Sequence, residues 1–475
     1  MGKIDITELF IYRWRYIIGY SLVAIGLIVI LILVGLYLPG GISNQEIQSV
    51  IKSSSIDHTN LGSLAIANLP YHLLQKASLV LFGISTISIK LPSIILAFLS
   101  AAGLVLLLSH WFRPSIGVLA SLIAITTSQF LFIAQDGTPA ILYLFWSVWL
   151  ILFASLISRQ PRFRTLSKIA FFIIAALSLY TPLSIYTLIA IASVILLHPH
   201  LRYLIKQLST LRIIISITIA LILLTPLIIA VIKTPSIGLT LLGIPTQWPD
   251  FGVNLSSLLS QYLGFATPGG MTIMTPFFGL GSMLIIAIGA YQVVHTRETA
   301  KSYMIILWTL CLIPVIILNP GFISITFLPL VLLLASGLSL LLSHWYELFP
   351  RNPYARIGGL IPLIVLVVAL VFSGADRYLY GYMHDPNIVP NFSKDLKLIP
   401  NDTKNIIVAD NELAFYKVVA LYNKKITVST TPKSDTFLST REAKKVFKGY
   451  TIDRIITISG YDQSDRFYLY KKITD

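Results

Sequence analysis

The stretch from residue 16 to residue 48, YIIGYSLVAIGLIVILILVGLYLPGGISNQEIQ, decides the fold. From Tyr16 to Leu38 it is uncharged and exceeds the roughly 20 apolar residues that cross a hydrocarbon core of about 30 Å. Lys3, Arg13 and Arg15 precede it, and Pro39-Gly40-Gly41 ends it. The run is too long for a signal-peptide core and lacks a small-residue cleavage pattern, so it reads as a retained first helix. Just past it stands Glu46, an acid held close to the membrane surface. Ser43 or Asn44 can cap a short helix with Glu46 in its first turn, where the bland reading is that the acid complements the helix dipole.

The rest of the chain repeats this pattern. Its 475 residues are 56% hydrophobic and 12% charged, against about 25% charged in soluble domains, which excludes a water-soluble fold. Apolar runs near 16–38, 90–110, 115–133, 138–158, 167–180, 183–198, 211–232, 276–294, 302–318, 322–344 and 356–374 predict about eleven transmembrane helices. A further apolar segment, 64–83, carries His72, Gln75 and Lys76 on one side and suits a helix lying at the interface. The expected fold is an all-α polytopic membrane protein: a transmembrane domain over 1–375, then a small soluble α/β domain over 376–475. In that tail the pattern predicts strands at 405–408, 426–429, 454–459 and 466–470 and helices at 412–423 and 441–447. Cys311 is the single cysteine and lies in an apolar run, so no intrachain disulfide and no Cys-based metal site is expected.

The net charge of +15 does not indicate nucleic-acid binding, because the basic residues are spread over short loops rather than gathered on one patch. Their distribution sets the sidedness instead. With the N-terminus cytoplasmic, the inner segments hold 15 Lys and Arg and the outer ones hold four, Lys52, Lys76, Lys90 and Lys233. An odd number of spans then puts the tail outside, in a multi-pass protein of the plasma membrane.

An acid at membrane depth costs about 2.5 to 3.5 kcal/mol on insertion scales, so the carboxylates point to chemistry. Twelve of the 20 acids lie in the tail, and Asp5, Glu8, Glu298 and Glu347 fall in inner segments beside basic residues. The outer face has Glu46, Asp57, Asp136 and Asp250. Asp57 sits in a polar loop and reads as solvated. Asp136 either caps the next helix or lines a polar site, and Asp250 lies in a long loop from Lys233 to Thr275.

Several segments, in order, carry a family likeness: Asn44-Gln-Glu-Ile, Leu69-Pro-Tyr-His, Phe82-Gly-Ile-Ser, Lys90-Leu-Pro-Ser, Ala134-Gln-Asp-Gly-Thr-Pro, Leu179-Tyr-Thr-Pro and Phe327-Leu-Pro-Leu. Together they resemble the GT-C class of membrane glycosyltransferases, in the branch of protein O-mannosyltransferases and the aminoarabinose transferases of lipid A. The resemblance implies an inverting transferase that passes a sugar from a polyprenyl-phosphate donor to an extracytoplasmic acceptor, be it glycan, lipid or protein. An acid of the first loop then deprotonates the acceptor hydroxyl, and the polyprenyl tail lies against membrane lipids. Carried onto this chain, Glu46 is the expected base and Asp136 a second catalytic acid. Gln45, Tyr71, His72, Lys76, Lys90 and Gln135 are the candidate substrate-binding residues. The sequence names no cofactor; a divalent cation is the one candidate it leaves open, and no metal-ligand cluster stands out.

The chain also departs from the pattern. Gln45 stands where the family usually has the catalytic Asp, Gln135 where Arg commonly opens the second motif, and Phe322-Ile-Ser-Ile-Thr where relatives often place an Arg for the phosphate. Two rival readings follow: a non-catalytic scaffold that keeps the fold, and a transporter or flippase of a lipid-linked glycan. Transport predicts ionisable residues in mid-span or paired broken helices, and the acids here sit at span ends.

Overall fold

A computed structural model describes residues 21, 25, 41–57, 61–159, 164–206, 210–245, 247–263, 278–348, 353–384, 392, 394–432, 434–457 and 465–473. Two helices, α1 (Asn44–Ser54) and α2 (Leu69–Phe82), precede the main bundle. The bundle runs through α3 (Thr86–Trp111), α4 (Pro114–Ile125), α5 (Ser128–Gln135), α6 (Ile141–Arg159), α7 (Arg164–Ser178), α8 (Ile185–Leu197) and α9 (Pro199–Lys206). It continues with α10 (Thr210–Lys233), α11 (Pro235–Leu242), α12 (Phe251–Leu263), α13 (Leu280–His295), α14 (Ala300–Leu318), α15 (Phe327–Leu348) and α16 (Pro353–His384).

Among the described residues six helices are long and apolar enough to cross a membrane, and seven if one bent pair counts as a span. The expected spans at 167–180, 183–198 and 276–294 correspond to apolar helices of 10–17 residues, and the expected first span lies outside the described residues except for positions 21 and 25. Lipid contact is legible in the exposed surfaces. The segment Ile213–Lys233 has mean hydropathy 2.8 with only 17% of its window buried, and Ile361–Leu379 has 1.8 with 11%. Apolar helices this bare need an apolar solvent around them.

One expected span, 115–133, is not a straight helix. It breaks into α4 and α5 with a bend of 65°. The hydroxyl of Thr126 donates to the Leu122 and Ile123 carbonyls, and Thr127 caps α5 by accepting from the Phe130 amide. Two successive hydroxyls thus replace the backbone partners that an uninterrupted helix would supply. The bend carries α5 back across α3 and delivers Gln135 and Asp136 toward α1 and α2.

Elsewhere the core is built by close backbone approach and by aromatic packing. A Cβ added to Gly289 on α13 would lie 1.8 Å from the Leu333 carbonyl oxygen on α15, and one on Gly337 would lie 2.1 Å from that of Ile285. Small residues at facing positions are what allow membrane helices to pack so tightly. Trp308 and Phe327 are fully buried between the helices, with Phe278 and Phe327 stacked at 5.8 Å.

The tail forms β1 (Asn405–Ile407), α17 (Leu413–Tyr422), β2 (Thr427–Ser429), β3 (Thr436–Thr440), β4 (Tyr450–Thr457) and β5 (Arg466–Lys472). The sheet order is β2-β1-β3-β5-β4, with β1 parallel to both neighbours and the other pairs antiparallel. The helix expected at 441–447 is absent and β3 was not expected. The chain turns after Thr440 so that Phe447 meets Phe437 and Tyr470 at 5.1 and 5.0 Å, an aromatic cluster that a helix starting at Arg441 would not form. The boundary expected after residue 375 falls inside α16, which continues to His384.

The α13–α15 contact generates a first prediction. Gly289→Ala has to push two helix backbones apart and should cost at least the 1 to 3 kcal/mol typical of overpacking. A clear fall in the unfolding temperature of the detergent-solubilised protein is expected. Gly281→Ala, whose Cβ meets only the ends of the Leu370 and Leu366 side chains at 3.0 and 4.0 Å, should change it little.

Candidate functional site

Four separated segments converge at one end of the bundle. Ser43 caps α1 in a reciprocal capping box: its hydroxyl accepts from the Glu46 amide at 3.1 Å, and the Glu46 carboxylate accepts from the Ser43 amide at 2.7 Å. The other carboxylate oxygen of Glu46 accepts from the Gly137 amide at 2.7 Å, across 91 residues of sequence. Lys90, near the start of α3, places its Nζ 3.5 Å from that same oxygen. Glu46 is 0% exposed and Lys90 5%. Burial of an ion pair is tolerated only when further hydrogen bonds complete it, and here the backbone amides of two loops do so.

Asp136 caps the C-terminal end of α5 and does not cap α6. Its Oδ2 accepts from the Thr138 hydroxyl. Its carbonyl accepts from Ser93, whose hydroxyl also lies 2.8 Å from the phenol oxygen of Tyr71. Burial, and next the neighbouring Glu46 carboxylate, push the Asp136 carboxyl up to about 7. The amide nitrogen of Gln135, beside it, is buried with no hydrogen-bond partner, a vacancy that buried donors seldom tolerate without a role.

On the other side of Glu46, α2 lays Tyr71, His72 and Gln75 along one face, as spacings of three and four residues require. His72 Nδ1 lies 2.8 Å from the Ser53 hydroxyl. Burial and then Lys52 lower the imidazole to about 4, so it is neutral. Gln75, 0% exposed, is saturated: its carbonyl accepts from Ser49 and Ser53, and its amide donates to the Ile89 and Gly137 carbonyls at 3.1 and 2.9 Å. Gly137 is therefore held by Glu46 through its N–H and by Gln75 through its C=O. A Cβ there would come within 3.0 Å of the Glu46 carboxylate.

Of the residues singled out in the sequence, Glu46, Asp136, Tyr71, His72, Lys90 and Gln135 are buried in this region. Gln45 is exposed. Lys76 is half-buried and donates to the Ile56 carbonyl. Asp57 is exposed, and Asp250 caps α12 by accepting from the Gly252 and Val253 amides at 2.8 and 3.3 Å. No group of three or more His, Cys, Asp or Glu that could hold a metal occurs among the described residues.

Sequence reading missed Gln75, Ser93 and Thr138 as members of the cluster. Gln75 could have been found from its spacing to Tyr71 and His72. It also missed the tail's part. Phe392 meets Phe132 edge to face at 6.0 Å and lies under the Lys90 ammonium at 5.6 Å. Ile42 pairs with Lys394 in a β-bridge, its amide donating to the Lys394 carbonyl at 2.6 Å.

The arrangement is similar to known folds. The chain aligns with ArnT from Cupriavidus metallidurans in the apo state at TM-score 0.52 and 10% identity, covering 96% of this chain and 98% of that one. It aligns with the same protein bound to undecaprenyl phosphate at TM-score 0.51 and 9% identity, covering 95% and 98%. The oligosaccharyltransferase of Archaeoglobus fulgidus, tethered with an acceptor peptide containing the NVT sequon, aligns at TM-score 0.52 and 13% identity over 86% of this chain and 64% of that one. No protein-family model and no curated protein matches the sequence. At such identities the likeness establishes the fold: a GT-C-like membrane bundle with a small C-terminal sheet domain.

The raised Asp136 has a thermodynamic consequence. In the unfolded chain this carboxyl ionises near 4; in the folded protein it holds its proton up to about 7. Folding stability from this group is therefore fullest below about 4, declines as pH rises toward 7 and is flat above. Asp465 in the tail, raised by burial to about 6, adds a slope of the same sign. The difference in unfolding temperature between Asp136→Asn and wild type isolates the first term: it should favour the variant increasingly from pH 5 to about pH 7 and level off above.

Proposed function

We propose that this chain is a membrane glycosyltransferase that moves a sugar from a polyprenyl-phosphate-linked donor to an extracytoplasmic acceptor. The observation that carries the proposal is the buried Glu46–Lys90–Asp136 cluster, assembled from the first loop, α3 and the end of α5. It stands in a fold that covers 95% of this chain in common with a protein bound to undecaprenyl phosphate.

Within this reading the two acids have different roles. Both oxygens of Glu46 are engaged, by the Ser43 and Gly137 amides and by Lys90. It positions the second loop and raises the affinity of Asp136 for a proton. Asp136 then acts as the proton acceptor. Among the described residues only its Oδ2 has a hydrogen-bond partner, and a base that titrates near neutrality is matched to the task. The acceptor hydroxyl attacks the anomeric carbon with inversion and the new C–O bond forms. The bond from that carbon to the phosphate oxygen breaks, the proton passes to Asp136, and polyprenyl phosphate leaves with the electron pair. The partnerless Gln135 amide is the donor nearest in sequence to Asp136 for a sugar hydroxyl or phosphate oxygen. Lys52 and Lys76 are the basic groups of α1 and α2 suited to the departing phosphate.

A second reading rests on a specific observation: Glu46 is fully enclosed and hydrogen-bonded at both oxygens, as a structural clasp would be. On that reading the chain binds lipid phosphate or a partner without turnover.

Sugar transfer from a radiolabelled polyprenyl-phosphate sugar, by purified protein in liposomes, separates the two. Catalysis predicts a rate that rises with pH through about 7 and falls by roughly 10² to 10⁴ in Asp136→Asn. Glu46→Gln should lose activity together with thermal stability. Wild-type rates from Asp136→Asn would remove that residue's role. Undecaprenyl phosphate binding with no transfer by the wild type, across donors, would favour the clasp.

A further inference from the structure

A second site lies at the other end of the bundle. A cavity of about 330 Å³ opens among α3, α6, α7, α8, α9, α10 and α14. Trp111, which lines it, is the last residue of α3, 21 residues beyond Lys90. At 1.5 Å per residue the cavity is about 31 Å from the Glu46 cluster, roughly a membrane thickness away.

Its lining combines two chemistries. Trp111, Phe171, Phe172, Ile191 and Met304 contribute apolar wall. Into the same space come Lys168 and Lys301, with the hydroxyl residues Ser155, Ser158 and Ser216, and among the described residues no Asp or Glu lines it. Lys168 is only 8% exposed. Lys301 is fixed in place: its Nζ donates to the Trp111 carbonyl at 2.8 Å and sits 4.9 Å from the Phe112 ring. Two ammonium groups along one apolar chamber form a positively charged rim, complementary to phosphate oxygens, while the Ser155 and Ser158 hydroxyls donate to the Leu152 and Ser155 carbonyls at 2.8 Å each. The volume is that of a small-ligand pocket, and protein interiors do not leave such space empty without cost.

The position of the chamber indicates the source of the ligand. Ile213 and Ser216 belong to α10, whose window is 17% buried and whose Ile214, Ile215 and Ile217 are bare. One wall is therefore a lipid-facing helix, and an amphiphile can reach the chamber from the bilayer. We propose that this cavity binds an anionic phospholipid, its phosphate drawn to Lys168 and Lys301 and one acyl chain laid against the aromatic wall. The site is independent of the proposed transfer reaction and stands if that reading fails.

The test uses full-length protein in detergent, exchanged with phosphatidylglycerol or phosphatidylcholine and examined by native mass spectrometry. One tightly held phosphatidylglycerol is expected, with phosphatidylcholine retained far less. Losing one partner of a desolvated charge contact weakens binding by about 30-fold or more, so Lys168→Gln should release the lipid to that extent. Ala154→Phe, which fills the chamber, should do the same. Equal retention by wild type and both variants, or equal retention of the two lipids, overturns the proposal. So does displacement of phosphatidylglycerol by equimolar undecaprenyl phosphate, which would assign the cavity to that lipid instead. If the variants fail to fold, a photoreactive phosphatidylglycerol decides on wild-type protein. Crosslinks within 151–172 or 191–216 support the site, and crosslinks confined elsewhere overturn it.

Discussion

One buried carboxylate ties one end of this molecule together. Glu46 closes the cap of α1, holds the Gly137 amide at the end of the broken span and faces Lys90 from α3. Glu46, Lys90 and Gly137 stand about 45 residues apart from one to the next, so the cluster has no local reason to form. Its cohesion comes from the cost of leaving any member unpaired. A charge stripped of water and then of its partner is penalised by several kcal/mol, whereas the complete set is satisfied at both oxygens. Gln75 reinforces the arrangement from below with four hydrogen bonds, again gripping Gly137. The second loop is thus clamped by its N–H and its C=O at one residue, and Asp136 next to it inherits a fixed position in a dry setting.

The membrane character of the fold was legible because lipid imposes a simple rule: long apolar runs separated by short basic loops. The capping of α1 was legible too, since Ser43 and Glu46 have the spacing of a reciprocal cap. What the sequence could not show was how far apart in the chain the partners of Glu46 lie. Hydropathy also reads 115–133 as one run, because a bend made by two threonine hydroxyls leaves the apolar average untouched. In the tail, the missed strand at Thr436–Thr440 and the absent helix at 441–447 have one cause. Long-range packing of Phe437, Phe447 and Tyr470 overrode the local helical preference of Glu442, Ala443 and the lysines that follow.

The departures from the family pattern acquire a physical meaning in this geometry. Gln45 replaces an expected acid at a position that is exposed, so the substitution removes no charge from the buried cluster. Gln135 is different: it is buried, and its amide nitrogen has no partner. An arginine there would bring a second buried cation beside Lys90; an amide brings a neutral donor. Burial first, and then the local balance of one lysine against two carboxylates, leave Asp136 with a raised proton affinity.

The tail is not an appendage set apart from this chemistry. Ile42, Ile47 and Val50 of the first loop and α1 share one hydrophobic core with Ile406, Phe415 and Val419 of the sheet domain. A Cβ at Gly41 would collide with the Phe392 carbonyl at 1.4 Å, so the two backbones are in direct contact. Lys394 joins the Ile42 bridge with its backbone, while its ammonium pairs with Glu412, which in turn accepts from Thr440 inside the domain. Folding the tail and placing Glu46 are therefore coupled: the domain supplies most of the core on which α1 rests. With Phe392 beside Lys90 and Phe132, the same domain shields one flank of the cluster. Water exclusion there is what keeps the Lys90–Glu46 contact strong and the Asp136 proton tight. The sheet domain thus acts on the cluster through packing and dielectric.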